Sequence, residues 1–206
     1  NKGFEEISNF CNISLSSFYL DYLKDRLYTY GKNSKERKAA QTVLYTLLTS
    51  LLIIISPVLS FTAEEAYQFM KWKEKESIFL NDWPDMGEPD RKLLERWDRF
   101  FKLRKEILKK IEEKRESKLI GSSLEAKVII KSQKEEIEFL ESFENLEKLL
   151  IVSEVNLEEG EKEIIVEKTN YKKCQRCWGY FSDVGKDREF PDLCSKCICV
   201  LKKDFA

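Results

Sequence analysis

The alternation of apolar and polar positions predicts a mainly helical chain. Ser14–Tyr30 carries apolar side chains at helical spacing, and Gly31 with Asn33 marks the end of that helix. Phe4–Cys11 has the pattern of the end of another helix, whose beginning we expect upstream.

A third helix is predicted from Ser34, which can cap it, to about Ile55, before Pro57. It lies in an uncharged segment, 39–63, which is long enough to raise the question of a membrane span. Polar residues interrupt that segment repeatedly. We therefore interpret it as a core helix buried on most sides and expect no membrane partner.

Two more helices complete the first part of the chain. Thr62 with Glu65 forms a capping-box pattern for a short helix over 63–72. Residues 90–117 predict a long basic helix with an aromatic and aliphatic stripe. Together the helices predict an antiparallel helical bundle over 1–118, truncated at its start.

The pattern changes after the break at 121–123. A small mixed α/β domain is predicted over 119–170, followed by a zinc-binding tail over 171–206. The predicted elements of the α/β domain are strands at Leu124–Ile130, Leu149–Val155 and Glu163–Glu167, with a helix at Glu135–Leu149. The predicted fold class is mainly α, with this small α/β unit and a four-cysteine zinc element.

The tail contains two CxxC pairs, Cys174 with Cys177 and Cys194 with Cys197, separated by sixteen residues. This spacing matches a four-cysteine zinc site. Two such turns can complete a closed tetrahedron of thiolates, which leaves no open position for water. We therefore predict one structural Zn²⁺ that holds the tail in shape.

Other arrangements of the cysteines remain open. The same residues could form disulfides, although disulfide scaffolds are small and cysteine-dense. Cys199 lies two residues beyond Cys197 and could compete as a ligand, but it would break the symmetry of the second pair. Reduced cysteines would fit the cytosol or an organelle matrix, and we expect a cytoplasmic protein.

Composition and charge narrow the classes of function. The chain has no histidine, which excludes catalysis by a Ser-His or Cys-His pair. The net charge of −1 hides a strong asymmetry. Residues 24–38 and 90–118 are mainly basic, whereas 132–167 is mainly acidic. A polyanion would meet the basic segments and the tail, although charged helical faces are often simply solvated.

Several stretches together resemble one family. Residues 16-SSFYLDYLKDRLYT-29, 40-AQTVLY-45 and 57-PVLSFTAEEAY-67 are similar to the anticodon-binding helical domain of class I aminoacyl-tRNA synthetases for branched aliphatic amino acids. The stretches that resemble the isoleucyl enzymes among them are 120-IGSSLEAKV-128, 174-CQRCW-178, 183-DVGKD-187 and 194-CSKC-197.

The resemblance implies that the chain is the carboxy-terminal part of a larger isoleucine–tRNA ligase. Its partner would be an isoleucine tRNA. ATP and Mg²⁺ would bind only in a catalytic domain whose signature sequences are absent here, so this segment alone should be inactive. We expect a monomer. The alternatives are the zinc-ribbon DNA-binding part of a formamidopyrimidine-type DNA glycosylase and a non-enzymatic interaction module.

Anticodon recognition requires an aromatic plane for stacking, donors for base edges and cations for phosphates. Arg176 and Trp178 flank Cys177, so we expect the metal to present both side chains outward to the anticodon loop. Lys172 and Lys173 are candidates for phosphate contacts. Alternatively, Trp178 packs over the metal or against the α/β unit.

A second group of basic residues is predicted to meet the anticodon stem. It comprises Lys24, Arg26, Arg37 and Lys38. Arg26 lies near the apolar stripe of its helix and could instead pair with Asp21 or Asp25. The aromatic residues at helical spacing are predicted to belong to the core: Tyr19, Tyr22, Trp97 and Phe101.

Overall fold

A computed structural model describes residues 2–85 and 87–204, except for the side chain of Asp204. The chain divides into two compact units, one formed by residues 1–31 with 91–206 and the other by Lys32–Asp90. The predominance of helices, the small mixed sheet and the cysteine cluster confirm the predicted fold class. The division into three sequence segments stays a prediction.

The first unit begins with one continuous helical stretch. It consists of α1 (Lys2–Asn9), a π-helical segment (Phe10–Leu20) and α2 (Asp21–Thr29). Two separate helices were predicted here, but the backbone stays right-handed helical at both joints, Asn9 and Asp21. The stretch ends as predicted before Gly31, because Tyr30 adopts an extended conformation.

Helix α5 (Arg91–Glu116) forms the centre of the first unit. Its buried side chains lie three or four positions apart, which gives the helix one apolar stripe. Phe18 meets Phe101 edge-to-face with ring centroids 4.9 Å apart. The four aromatic residues predicted to belong to the core pack against this cluster, which confirms that prediction: Tyr19, Tyr22, Trp97 and Phe101.

A three-stranded mixed sheet packs in the same core. In spatial order its strands are β2 (Glu154–Glu159), β1 (Ala126–Ser132) and β3 (Glu163–Lys168). β1 pairs with β2 in parallel and with β3 antiparallel. Alternate residues of β1 are buried, as expected for a strand with one face in the core.

The connection between β1 and β2 differs from the prediction. It contains two helices, α6 (Lys134–Glu141) and α7 (Leu146–Leu150), instead of one. The left-handed backbone of Asn145, with φ 55°, interrupts the helical path. Leu149 and Leu150 are buried as helical residues and β2 begins at Glu154, so the predicted strand over 149–155 is wrong except at its last two residues.

The second unit contains α3 (Lys35–Ile55), α4 (Ser60–Gln68) and a 3₁₀ turn (Ile78–Leu80). The prediction that Ser34 caps α3 is confirmed, because its Oγ accepts a hydrogen bond from the backbone N–H of Arg37 at 3.1 Å. The small core of this unit comprises Leu52, Ile53, Ala63, Tyr67 and Ile78.

The capping-box prediction for α4 is wrong. The helix begins at Ser60, so Thr62 lies inside its first turn. Glu64 has a different structural role, accepting hydrogen bonds from the backbone N–H of Ile78 at 2.9 Å and from the Ser77 hydroxyl at 2.8 Å. The Ile78 bond and the others hold the pKa of Glu64 below its ordinary value.

Helix α3 is less buried than predicted. Only Ala40, Leu52 and Ile53 of its residues are buried, so the expectation of a helix covered on most sides is wrong for this chain. Among the described residues it is the one helix long and apolar enough to cross a membrane. That is weak evidence, because the core helix of a soluble protein satisfies the same criteria.

Candidate zinc centre

The first cysteine pair lies in a tight hairpin. Strand β4 (Lys172–Lys173) pairs antiparallel with β5 (Tyr180–Phe181), and the chain between them forms the knuckle. The N–H of Cys174 donates to the carbonyl of Gly179 at 2.8 Å, and the N–H of Trp178 donates to the carbonyl of Cys174 at 2.9 Å. These bonds fold residues 174–179 back on themselves and turn both sulfurs to one side.

The second pair lies at the start of α8 (Ser195–Asp204). Asp183 Oδ2 accepts a hydrogen bond from the backbone N–H of Ser195 at 2.9 Å and caps this helix. The N–H of Cys194 donates to Cys174 Sγ at 3.4 Å. The helix amino terminus therefore faces the sulfur cluster with its N–H groups, which favours thiolates there.

The four sulfur atoms of Cys174, Cys177, Cys194 and Cys197 lie within 4.8 Å of one another. A tetrahedral zinc site with Zn–S bonds of about 2.3 Å requires sulfur atoms about 3.8 Å apart. The Cys177 and Cys194 sulfurs are 3.8 Å apart, which fits this requirement. Cys199 is exposed and lies outside the cluster. The geometry thus favours Cys197 over Cys199.

The electrostatics of the cluster favour negative charge on Cys197. Hydrogen bonds from the Cys177 and Cys194 thiols hold the pKa of Cys197 well below its ordinary value, and the guanidinium of Arg176 contributes in the same direction. Cys174, Cys194 and Cys197 are buried together with Val184. The cluster is therefore a small closed core built for a metal ion with thiolate ligands.

Trp178 points away from this core. Its side chain is 64% exposed, and Lys173 Nζ lies 5.6 Å from the centre of its ring. Its backbone has φ 65°, which is unusual for a residue other than glycine. The next residue, Gly179, has no room for a side chain, because a Cβ atom there would lie 2.7 Å from the Phe181 ring. The knuckle thus presents Trp178 to solvent, as predicted.

Arg176 points inward, so the prediction that it is presented outward is wrong. Its Nη1 donates to the backbone carbonyl of Thr29 at 2.6 Å and lies 3.5 Å from Cys197 Sγ. The guanidinium therefore lies between the sulfur cluster and the carboxy-terminal end of α2. Sequence spacing could not reveal this contact, because 147 residues separate the two partners.

The other four basic candidates of the first unit have different environments. Lys172 and Lys173 are exposed. Lys24 is exposed and pairs with Asp21 at 2.6 Å. Arg26 bonds the Tyr22 hydroxyl and lies 4.8 Å from the centre of its ring, so its partner is Tyr22 and not Asp21 or Asp25.

Arg37 and Lys38 lie in the first turn of α3, in the second unit. Lys38 is exposed and Arg37 is half-buried. Lys24 and Arg26 belong to the first unit, so the predicted grouping of all four residues stays a prediction.

Sequence reasoning missed one cluster beside the sulfurs. Lys196 Nζ bonds both carboxylate oxygens of Asp25, at 2.5 and 2.7 Å, and Thr29 Oγ1 at 3.3 Å. Asp25 and Thr29 are four residues apart and share a face of α2. The i,i+4 spacing was visible in the sequence, but nothing there identified Lys196 as the partner.

Comparison with known proteins places this architecture in a family. The family model described as the anticodon-binding domain of tRNA ligase matches residues 1–130. The chain belongs to this family. A second model, the zinc finger found in FPG and IleRS, matches residues 172–198 and includes all four clustered cysteines. The residues that match the zinc-finger model are therefore the ones that form the sulfur cluster.

Relatives of this family member include several isoleucine–tRNA ligases. The chain is 43% identical over 217 residues to that of Natranaerobius thermophilus, covering 95% of this chain and 23% of the relative. It is 44% identical over 211 residues to that of Carboxydothermus hydrogenoformans, covering 96% of this chain and 23% of the relative. It thus spans less than a quarter of these relatives. The match over 1–130 disfavours the DNA glycosylase alternative.

Proposed function

We propose that this chain recognises the anticodon region of an isoleucine tRNA as the carboxy-terminal part of an isoleucine–tRNA ligase. The observation that carries the proposal is the anticodon-binding match over 1–130, on the same chain as a cysteine cluster that displays the exposed Trp178. The whole enzyme would charge the tRNA with isoleucine, using ATP and Mg²⁺ in a domain outside this chain. The chain alone would be inactive, monomeric and cytoplasmic.

One zinc ion would be held by Cys174, Cys177, Cys194 and Cys197. The close sulfur spacing and the zinc-finger match support this assignment. Four thiolates complete the coordination of zinc, so the ion would supply structure and no open position for a reaction. Its effect on function would be to fix the knuckle that carries Trp178.

Trp178 would serve as a stacking surface for an unpaired anticodon base. Every base has a flat face, and stacking on an exposed aromatic ring contributes roughly 1–3 kcal/mol per base. Lys173 lies over the same ring and Lys172 is exposed beside it in β4, so both could neutralise the phosphates of that nucleotide. Arg176 retains further N–H donors beyond its bond to Thr29.

The remaining basic candidates would contact the tRNA backbone. Lys24 and Lys38 are exposed, whereas Arg26 and Arg37 are half-buried. Contacts of this kind position a nucleic acid without reading its sequence. Their loss would weaken binding to all tRNAs to a similar degree.

The test is direct binding of the zinc-loaded chain to three ligands at several salt concentrations. We expect the chain to bind isoleucine tRNA at least about 10-fold more tightly than valine tRNA, because a lost base contact costs roughly 1–3 kcal/mol. Duplex DNA should bind more weakly than either. Equal affinity for both tRNAs would overturn anticodon recognition, and preference for duplex DNA would favour the glycosylase alternative. Binding to none of the three would favour an interaction module.

A further inference from the structure

The zinc-finger segment contacts the end of α2 through a polar cluster that the proposed tRNA contacts do not explain. The cluster comprises Asp25, Thr29, Tyr30, Arg176 and Lys196, and we call it the joint. Lys196 lies between the cysteines of the second pair, and Arg176 lies between those of the first. Each cysteine pair therefore contributes one cation to the same helix end.

The joint satisfies groups that a helix end leaves without partners. The last carbonyls of a helix have no partner within the helix, and cations are favoured there. Arg176 donates to the carbonyl of Thr29, the last residue of α2, at 2.6 Å. Thr29 is itself buried, so losing this donor would leave a buried acceptor unpaired.

Lys196, the cation of the ion pair in the joint, is shielded from water more than Lys202, the cation of two other ion pairs of the zinc finger. The side chains of Lys196 and Asp25 are 30% and 33% exposed, whereas Lys202, also in α8, is 55% exposed. Lys196 Nζ also lies 5.0 Å from the centre of the Tyr30 ring. Lys196 is therefore held between Asp25 and the Tyr30 ring, with most of its side chain out of water.

The two cations also lie beside the metal site. Four thiolates around Zn²⁺ carry a net charge of −2, which nearby cations stabilise. Arg176 Nη1 reaches within 3.5 Å of Cys197 Sγ while it bonds Thr29. A metal that fixes both knuckles therefore also fixes both cations against α2.

We propose that the joint couples zinc binding to the docking of the zinc finger on the end of α2, with Lys196 and Arg176 as positioning residues. The coupling is reciprocal, since an interaction that zinc strengthens must strengthen zinc binding by the same factor. The consequence for the proposed function, on which this last step rests, is that the joint sets where Trp178 stands relative to the helices.

The test uses zinc affinity, measured by chelator competition on the 206-residue chain, and no tRNA. Lys196→Met keeps the length of the side chain and removes its charge. We expect it to weaken zinc binding about 10-fold, as is typical for residues that support metal ligands. The matched control is Lys202→Met in the same helix, which should change the affinity less than about 2-fold because Lys202 is 55% exposed and its partners, Asp187 and Glu189, lie outside the joint. Lys196→Arg should recover most of the loss.

Hydrogen exchange of residues 25–31 provides the second measurement. Removing zinc from the unsubstituted chain should increase exchange in this segment, and zinc should protect it less in Lys196→Met. Unchanged zinc affinity in Lys196→Met, or no effect of zinc on exchange at 25–31, would overturn the proposal. If Lys196→Met does not fold, Asp25→Asn replaces it with the same expectations. Because neither measurement involves tRNA, failure of the joint and failure of tRNA recognition are distinguishable.

Discussion

The backbone of Trp178 allows its structural and recognition roles to be separated by two substitutions. With φ 65°, an L-residue other than glycine costs roughly 1–2 kcal/mol relative to glycine. Alanine retains that cost and glycine does not. Trp178→Gly should therefore be about 1 kcal/mol more stable than Trp178→Ala, which reverses their usual order in regular structure.

Both variants also lose the stability that packing of the Trp178 ring contributes. The side chain is 64% exposed, so about a third of its surface is buried. An aromatic side chain covers about 150–250 Å², and burial contributes about 25 cal/mol per Å². The buried third therefore stabilises the fold by roughly 1–2 kcal/mol. This loss and the relieved backbone strain nearly cancel in Trp178→Gly, whereas Trp178→Ala suffers the loss alone.

The effect on tRNA binding should be the same in both variants, because both remove the ring. We expect each to lose roughly 1–3 kcal/mol of affinity for isoleucine tRNA. Urea unfolding, zinc content and tRNA affinity should be measured on the same samples. Lys172→Ala serves as the control for charge, since it should lower the slope of affinity against salt by about one unit, and the Trp178 variants should leave that slope unchanged.

Three outcomes would refute different parts of this prediction. Full zinc content with unchanged tRNA affinity in both variants would remove Trp178 from recognition. A Gly variant less stable than the Ala variant would show that the positive φ is not strained. Affinity that falls only in step with zinc loss would mean that Trp178 is a packing residue.

Two further predictions concern the metal site and its attachment. Cys194→Ser should lose the bound zinc, which metal analysis would show, while thermal unfolding should still detect a folded helical part. A full equivalent of zinc in this variant would contradict the proposed ligand set. Glu125→Gln should lower the free energy of unfolding by about 1 kcal/mol at pH 7. Glu125 accepts hydrogen bonds from Gly121 N–H at 3.2 Å and the Tyr180 hydroxyl at 3.2 Å, and the Gly121 bond is the main cause of its lowered pKa. A carboxyl group whose pKa is lowered by folding stabilises the fold at pH values above its pKa in the unfolded chain, about 4.3. This stabilisation is lost as the pH falls through the pKa of the folded protein. The difference between the two proteins should therefore shrink below about pH 4, and a constant difference in denaturant titrations would disprove the assignment.

Local patterns in the sequence predicted what local chemistry determines. The spacing of the cysteine pairs was sufficient to bring Cys174 and Cys194 into one cluster, because each knuckle is formed by a few consecutive residues. Ser34 was recognisable as a cap for the same reason. In each case the interacting groups are neighbours in the chain or belong to a motif with fixed spacing.

The failures have the opposite cause. The capping-box pattern at Thr62 and Glu65 does not cap α4, because the helix begins earlier, at Ser60. Glu64 instead accepts hydrogen bonds from Ser77 and Ile78 in the following loop. The helix predicted over 135–149 was interrupted at Asn145, whose left-handed conformation begins the short α7. Such choices depend on which packing buries most apolar surface, and helical periodicity alone does not contain that information.

Arg176 has a different environment from the one predicted, yet it keeps donors for the contact that we propose. Sequence reasoning assigned it to the anticodon because it neighbours a zinc ligand, and the structure commits its Nη1 to Thr29 and Cys197. A guanidinium has five N–H donors in a rigid plane, so these contacts leave donors for a base edge. Fixing one edge of the plane also fixes the direction of the other. If Arg176 contacts the anticodon, its bond to α2 would determine the angle of approach. Arg176→Lys, which keeps the charge but loses the planar fork, should then reduce discrimination between isoleucine and valine tRNAs more than it reduces overall affinity.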